Sequence, residues 1–98
     1  MTLISGRRYR RQPQTMRDIL VACGEGARKR HIMSNVHLSY EQVQNYLPAL
    51  ENLQLLNNEG DIYKTTEKGS QYITEYNELE RLSSELQKKK EILKVFKD

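Results

Sequence analysis

Cys23, His31 and His37 carry the most reactive side chains of this chain, and they fall within one short stretch. They could ligate a transition metal, but metal sites draw on closely spaced ligand pairs, and none is present. Nor is there a G-x-S-x-G nucleophile elbow, a glycine-rich phosphate loop or a carboxylate pair set in an apolar run. The sequence therefore predicts no enzyme, no metal and no cofactor. What remains is charge. Arg7-Arg8-Tyr9-Arg10-Arg11 and Arg28-Lys29-Arg30 are cationic clusters of the kind that neutralise phosphates.

The distribution of charge says more than the net value of +3. Residues 1–36 carry eight Arg or Lys against Asp18 and Glu25, a net of +6. Residues 37–98 carry eight basic and eleven acidic residues, a net of −3. A basic N-terminal third points to a polyanionic partner. Cys23 is alone, which excludes a disulfide framework and favours a reducing, cytoplasmic setting. The longest apolar run, Ile19–Cys23, is far too short to span a bilayer, so no membrane association is expected. Ninety-eight residues with one Phe and no Trp make a lean core, and a partner chain is expected to add to it.

Periodicity supplies the elements that would carry these residues. Residues 1–12 lack helical or strand alternation and read as a basic arm able to lie along phosphates or enter a minor groove. Pro13 suits a helix mouth, Thr15 reads as the N-cap with Asp18 three residues on, and Ile19, Leu20 and Cys23 share a face. Gly24 and Gly26 end that helix. Ala27–Asn35 reads as a second helix with Ile32 and Met33 inward, and Asn35-Val36-His37 as a turn. Ser39 and Gln42 form a capping-box pattern ahead of a third helix, whose Val43, Leu47 and Leu50 face inward. Pro48 lies inside that helix, at a cost of about 3 kcal/mol, and predicts a kink near Gln44–Pro48. Leu55-Leu56 and Ile62-Tyr63-Lys64 read as strands around the turn Asn58-Glu59-Gly60-Asp61. Thr66 caps a last helix, in which Gly69 predicts close approach to a neighbouring element.

That last helix has no proline and, after Gly69, no glycine. A run to Phe96 makes a rod of about 45 Å, too long to be covered by the rest of the domain. Leu79, Leu82, Leu86, Leu93 and Phe96 follow a heptad, with Lys89 at one d position, while Ile73 and Tyr76 suit packing on the domain itself. Residues 75–87 carry a net of −3 and residues 88–98 a net of +3. Two antiparallel copies place acid against base, whereas parallel copies place like on like. The pattern predicts a homodimer through an antiparallel coiled coil. The resulting fold class is mainly α with a small β-hairpin, a winged helix-turn-helix with a long C-terminal coiled-coil helix. Its parts are the arm at 1–12, the winged domain at 13–70 and the dimerisation helix at 71–98.

Lys29, Ile32-Met33, Leu38-Ser39-Tyr40, Tyr46-Leu47, Leu50, Gly60, Tyr63 and Thr66-Glu67-Lys68-Gly69, followed by the heptad helix, resemble the archaeal winged-helix chromatin proteins of the Sulfolobus ten-a type. The resemblance spans residues 15–98. It implies a small basic protein that binds double-stranded DNA, is nucleoid-associated and dimerises through its last helices. The chain departs from the family pattern in Arg30, where Thr is frequent, in Thr65, where Leu is usual, and in the acidic wing residues Glu59 and Asp61.

A winged helix places its third helix in the major groove. The candidate DNA-binding residues are then Ser39, Tyr40, Gln42, Gln44 and Asn45 on that helix. Arg7, Arg8, Arg10, Arg11, Arg28, Lys29 and Arg30 precede it, and Lys64 and Lys68 flank the wing. Gln and Asn can read adenine, but the third helix has no Arg or Lys for guanine, so phosphate contacts with limited sequence specificity are expected. The other reading is a winged module that binds proteins rather than DNA, consistent with the acidic wing and the lack of base-reading Arg.

Overall fold

The computed structural model of the protein describes residues 12–96. The arm cations Arg7, Arg8, Arg10 and Arg11 lie outside the described residues. The elements run in the order α1 (Pro13–Cys23), α2 (Lys29–Val36), α3 (Tyr40–Asn52), β1 (Leu56–Glu59), β2 (Ile62–Thr65) and α4 (Glu67–Val95). The architecture is the one expected: three helices, a wing and a long helical rod.

Helix α1 starts earlier than its sequence suggests. Gln12 is the N-cap and makes no side-chain cap, while Pro13 opens the helix. The fixed φ of proline and its missing N–H suit the first helical position, so Thr15 falls inside the first turn and does not cap. The Gln12 N–H donates to Tyr46 Oη at 3.3 Å instead, tying the start of α1 to α3. Helix α2 also starts later than expected, because Ala27 is taken by another partner. Ala27 and Tyr63 exchange both backbone hydrogen bonds, at 3.0 and 2.8 Å, adding a one-residue third strand to the wing.

The turn between α2 and α3 is His37-Leu38-Ser39. His37 takes the left-handed conformation (φ 58°), and the Leu38 N–H closes back on the Met33 carbonyl at 3.1 Å. Helix α3 continues through Pro48 to Asn52. Pro48 and Gln44 both lie on the exposed side, so water can reach the Gln44 carbonyl that loses its helical donor. The end of α3 is a Schellman closure. Leu55 N–H bonds to the Leu50 carbonyl at 2.9 Å, Gln54 N–H bonds to Glu51 at 2.9 Å, and Gln54 has φ 64°.

The hairpin pairs Leu56 with Thr65 and Glu59 with Ile62, so Asn57–Glu59 belong to the strand and the loop is only Gly60-Asp61. Gly60 has φ 69°, the conformation expected of glycine leading a two-residue hairpin loop. One core gathers Met16, Ile19, Leu20 and Cys23 of α1, Ile32 of α2, Val43, Tyr46, Leu47 and Leu50 of α3, and Leu55, Leu56 and Tyr63 of the wing. Thr65 fastens wing to core: its hydroxyl donates to the Leu20 carbonyl at 2.5 Å and its N–H to Gly24 at 2.9 Å. A leucine there could not make the first of these bonds.

Thr66 caps α4, accepting from the Gly69 N–H at 3.0 Å and donating to the Gln54 carbonyl at 2.7 Å. Gly69 is the buried residue of α4, and a Cβ there would collide with the Leu55 carbonyl oxygen and lie 2.7 Å from Thr65 Cγ2. Close approach explains this glycine. Two turns on, α4 is held by α1. Arg17 pairs with Glu80 at 3.4 Å, hydrogen-bonds Asn77, and lies 4.9 Å over the Tyr76 ring. Tyr72 and Ile73 pack on the core, and the Tyr72 and Tyr76 rings stack with centroids 6.5 Å apart. From Asn77 onward every described residue of α4 is exposed.

Two outcomes follow from this packing. Gly69→Ala gains about 1 kcal/mol of helix propensity but forces apart α4 and the Leu55 backbone, a strain of about 1–3 kcal/mol. Thermal unfolding should therefore show a lower Tm, whereas a freely exposed helical glycine would give a higher one. Burial pushes the Cys23 thiol up to about 12 from 9.0. The unfolded thiol ionises first, so stability is intact below about pH 9 and declines as pH rises towards 12. Burial raises the Tyr63 and Tyr72 phenols as well, with the same sign. A disulfide reagent at pH 8 should leave native Cys23 untouched and label it fully in denaturant, and Cys23→Ala should flatten part of the alkaline decline.

Candidate nucleic-acid interface

The exposed face of α3 is built from its N-terminus. Ser39 Oγ accepts from the Gln42 N–H at 3.1 Å, and Gln42 Oε1 accepts from the Ser39 N–H at 3.0 Å, completing the predicted capping box. Loss of such a cap typically costs about 1 kcal/mol. Both residues thus position the helix, and being exposed they keep hydrogen-bonding capacity beyond the cap.

Tyr40, Gln44 and Asn45 also lie on this exposed face. Asn45 Nδ2 donates to the Glu41 carbonyl at 2.8 Å, one turn back, leaving its carbonyl oxygen facing out. Gln44 Oε1 accepts from Lys29 Nζ at 2.5 Å, and that ammonium sits 5.6 Å over the Tyr40 ring. Lys29 is the first residue of α2, so one cation brings the mouth of α2 onto the face of α3. Arg28, just before it, is the N-cap of α2, and Arg30 projects into solvent. A helix mouth flanked by three cations is electropositive twice over, from the side chains and from its unpaired N–H groups.

The wing closes the same surface from one side. Arg28 approaches Asp61 at 3.8 Å and Lys64 approaches Glu59 at 3.8 Å, all four side chains being well exposed. These pairs are worth little to stability at such exposure. Their consequence is electrostatic: the wing acids pair with two of the candidate cations. Lys68 stands apart on the first turn of α4, exposed and on a different element.

The structure therefore brings together Arg28, Lys29, Arg30, Tyr40, Gln44, Asn45 and the Ser39–Gln42 box, with Lys64 at the margin. The link from Lys29 to Gln44 and the Arg28–Asp61 pair have no sequence signal, because each joins residues distant along the chain. Among the described residues no three His, Cys, Asp or Glu side chains are grouped to hold a metal ion. His31 instead shares a hydrogen bond with Asn35 at 3.0 Å, one turn along α2. No described helix is long and apolar enough to cross a membrane.

The second set of predicted residues lies on α4. Leu79, Leu82, Leu86, Leu93 and Phe96 are each at least half exposed, as are Ile92 and Val95 beside them. Ile92 and Val95 were not part of the predicted seam, because they fall outside its heptad positions.

Comparison with known proteins agrees with this arrangement. A family model described as winged helix-turn-helix matches residues 9–84. A solved structure, that of Sso10a-2, a DNA-binding protein from Sulfolobus solfataricus, superposes with a TM-score of 0.80 at 28% sequence identity. It covers 91% of this chain, and the match spans 98% of the other. No curated protein sequence matches. The resemblance drawn from Ile32-Met33, Leu38-Ser39-Tyr40 and Thr66–Gly69 is borne out.

Proposed function

Because the chain belongs to the winged helix-turn-helix family, we propose that it binds duplex DNA as a homodimer, through phosphate contacts with limited sequence specificity. The observation that carries the reading is the Lys29 contact with Tyr40 and Gln44, which joins a cationic helix mouth to an exposed, polar α3. Likeness to a DNA-binding protein over nearly the whole chain supports it. In this reading α3 lies along the major groove. Arg28, Lys29 and Arg30 take phosphates on its flank, with the arm cations Arg7, Arg8, Arg10 and Arg11 extending the contact. Gln44 and Asn45 offer amide groups to base edges, but α3 carries no Arg or Lys, so the commonest contact to guanine is missing. Such a protein acts on DNA architecture or on many sites rather than at one operator.

Dimerisation doubles this grip. The leucine seam of α4 has no cover among the described residues, and burying one leucine is worth about 1.5–3 kcal/mol. The polarised charge of the rod favours antiparallel pairing, which sets one winged domain at each end.

The competing reading, a protein-binding module, draws on the pairing of Arg28 with Asp61 and Lys64 with Glu59, which lowers the free positive charge of the wing. A duplex titration across salt separates the two. DNA binding through phosphates gives a slope of log affinity against log salt of about −0.9 per contact, and Arg28, Lys29 and Arg30 replaced together by Ala should flatten it by about 3. Absence of binding at low salt would overturn the DNA reading. Asp61→Asn frees Arg28 and should tighten binding by about two- to fivefold at low salt, in keeping with an exposed ion pair.

A further inference from the structure

The seam of α4 reads the same from both ends. From Leu79 its steps are three to Leu82, four to Leu86, three to Lys89, four to Leu93 and three to Phe96. A two-fold homodimer requires that if residue i meets residue j, then j meets i. A palindromic seam meets that condition with its axis between Gln87 and Lys88. We propose that two copies of α4 pack antiparallel in this one register, and that Lys89 locks it by reaching Glu85 of the partner subunit. The proposal rests on the dimer described above and adds its register and the residue that sets it.

In this register Leu79 meets the partner's Phe96, Leu82 meets the partner's Leu93, and Leu86 meets the partner's Lys89. Four outer layers are apolar and two central layers each hold one lysine. The Lys89 stem can lie along the partner's Leu86 while its ammonium turns outward, as long cationic side chains do at apolar seams. Glu85 is one residue from Leu86 and so flanks that layer. Its Oε2 accepts from Arg81 of its own chain at 3.0 Å, which leaves Oε1 for the incoming ammonium.

The alternatives are each opposed by something in the fold. A shift of one heptad toward the domain would set the partner's Phe96 against Tyr72. That face is already occupied by α1, since Tyr72 Oη donates to the Pro13 carbonyl at 3.4 Å and packs against Met16. The opposite shift leaves Leu79 and Leu82 without a counterpart in the described helix. A parallel pair would set Lys89 against the partner's Lys89. A polar residue at a single seam position is a known means of fixing register and strand number, at some cost in stability.

Cross-linking in the full chain reads the register directly. Leu82→Cys and Leu93→Cys chains, mixed and oxidised, should form a disulfide, and neither should do so alone; Cys23 is buried and does not compete. Self-cross-linking of Leu82→Cys, or no cross-link in the mixture while light scattering still reports a dimer, would overturn the register alone. A monomeric unmodified chain by light scattering would overturn the dimer itself. Lys89→Glu should weaken self-association about tenfold and recover it on mixing with Glu85→Lys, as coupled interfacial charges do. Undiminished self-association of Lys89→Glu would overturn the lock.

Discussion

The contact between Gly69 and the Leu55 carbonyl governs where α4 goes. The backbone of α4 passes so close to the end of α3 that no side chain fits between them. This closeness follows from the chain path: the Schellman turn at Gln54 delivers Leu55, the hairpin returns the chain, and Thr66 caps α4 onto the Gln54 carbonyl. Once the start of α4 is pinned, its next two turns fall against α1, where Tyr72, Ile73 and Tyr76 find partners. Everything beyond Asn77 must then project away from the core. The exposed seam is thus a consequence of geometry at one glycine, and the rod cannot fold back without breaking that junction.

In the proposed DNA complex, positive charge on the α3 side would touch phosphate rather than bases. The cations sit at the start of α2 and on the wing, and the exposed face of α3 holds amides, a phenol and a capping box. Lys29 is neutralised by nothing stronger than an amide and an aromatic face, so its charge stays available. Arg28 and Lys64 are instead paired with carboxylates at 3.8 Å, long enough and exposed enough for a phosphate to compete. The surface combines a cation held only by neutral groups with two that are paired to carboxylates. That design suits binding that is responsive to ionic strength and tolerant of sequence.

What was legible in the sequence was local. The Ser39–Gln42 box, the Thr66 cap and the inward stripe of α3 each depend on residues three or four apart, and all three are realised. Gly69 was legible for a different reason: a glycine inside a strong helix needs a steric explanation, and the Leu55 backbone provides it. Thr15 misled because a good capping residue two positions after a proline looks like a start, whereas Pro13 itself opens the helix. Ala27 was invisible because a one-residue bridge to Tyr63 has no period to detect. The left-handed residues His37 and Gln54 were equally hidden, since neither is a glycine. In the candidate site the residue types were readable, but their pairing across α2, α3 and the wing was not.

Grip and rod are energetically linked in the proposed dimer. A single winged domain with three free or weakly paired cations on α2 holds DNA only modestly at physiological salt, because each phosphate contact is eroded by counterions. A stiff connection to a second such domain makes the next engagement intramolecular, and its effective concentration can raise the overall affinity by orders of magnitude without any new contact. The axis between Gln87 and Lys88 places the two Asn77 positions, where the rods leave their domains, about 32 Å apart along the helix. That is close to the roughly 34 Å repeat of a duplex. A slip of one heptad would change this spacing by about 10 Å, the length of seven helical residues. Register is therefore not a detail of packing. A lysine at Lys89 that sacrifices some seam stability in exchange for one register preserves the distance between two weak binding faces, and that distance determines whether they can act on the same DNA together.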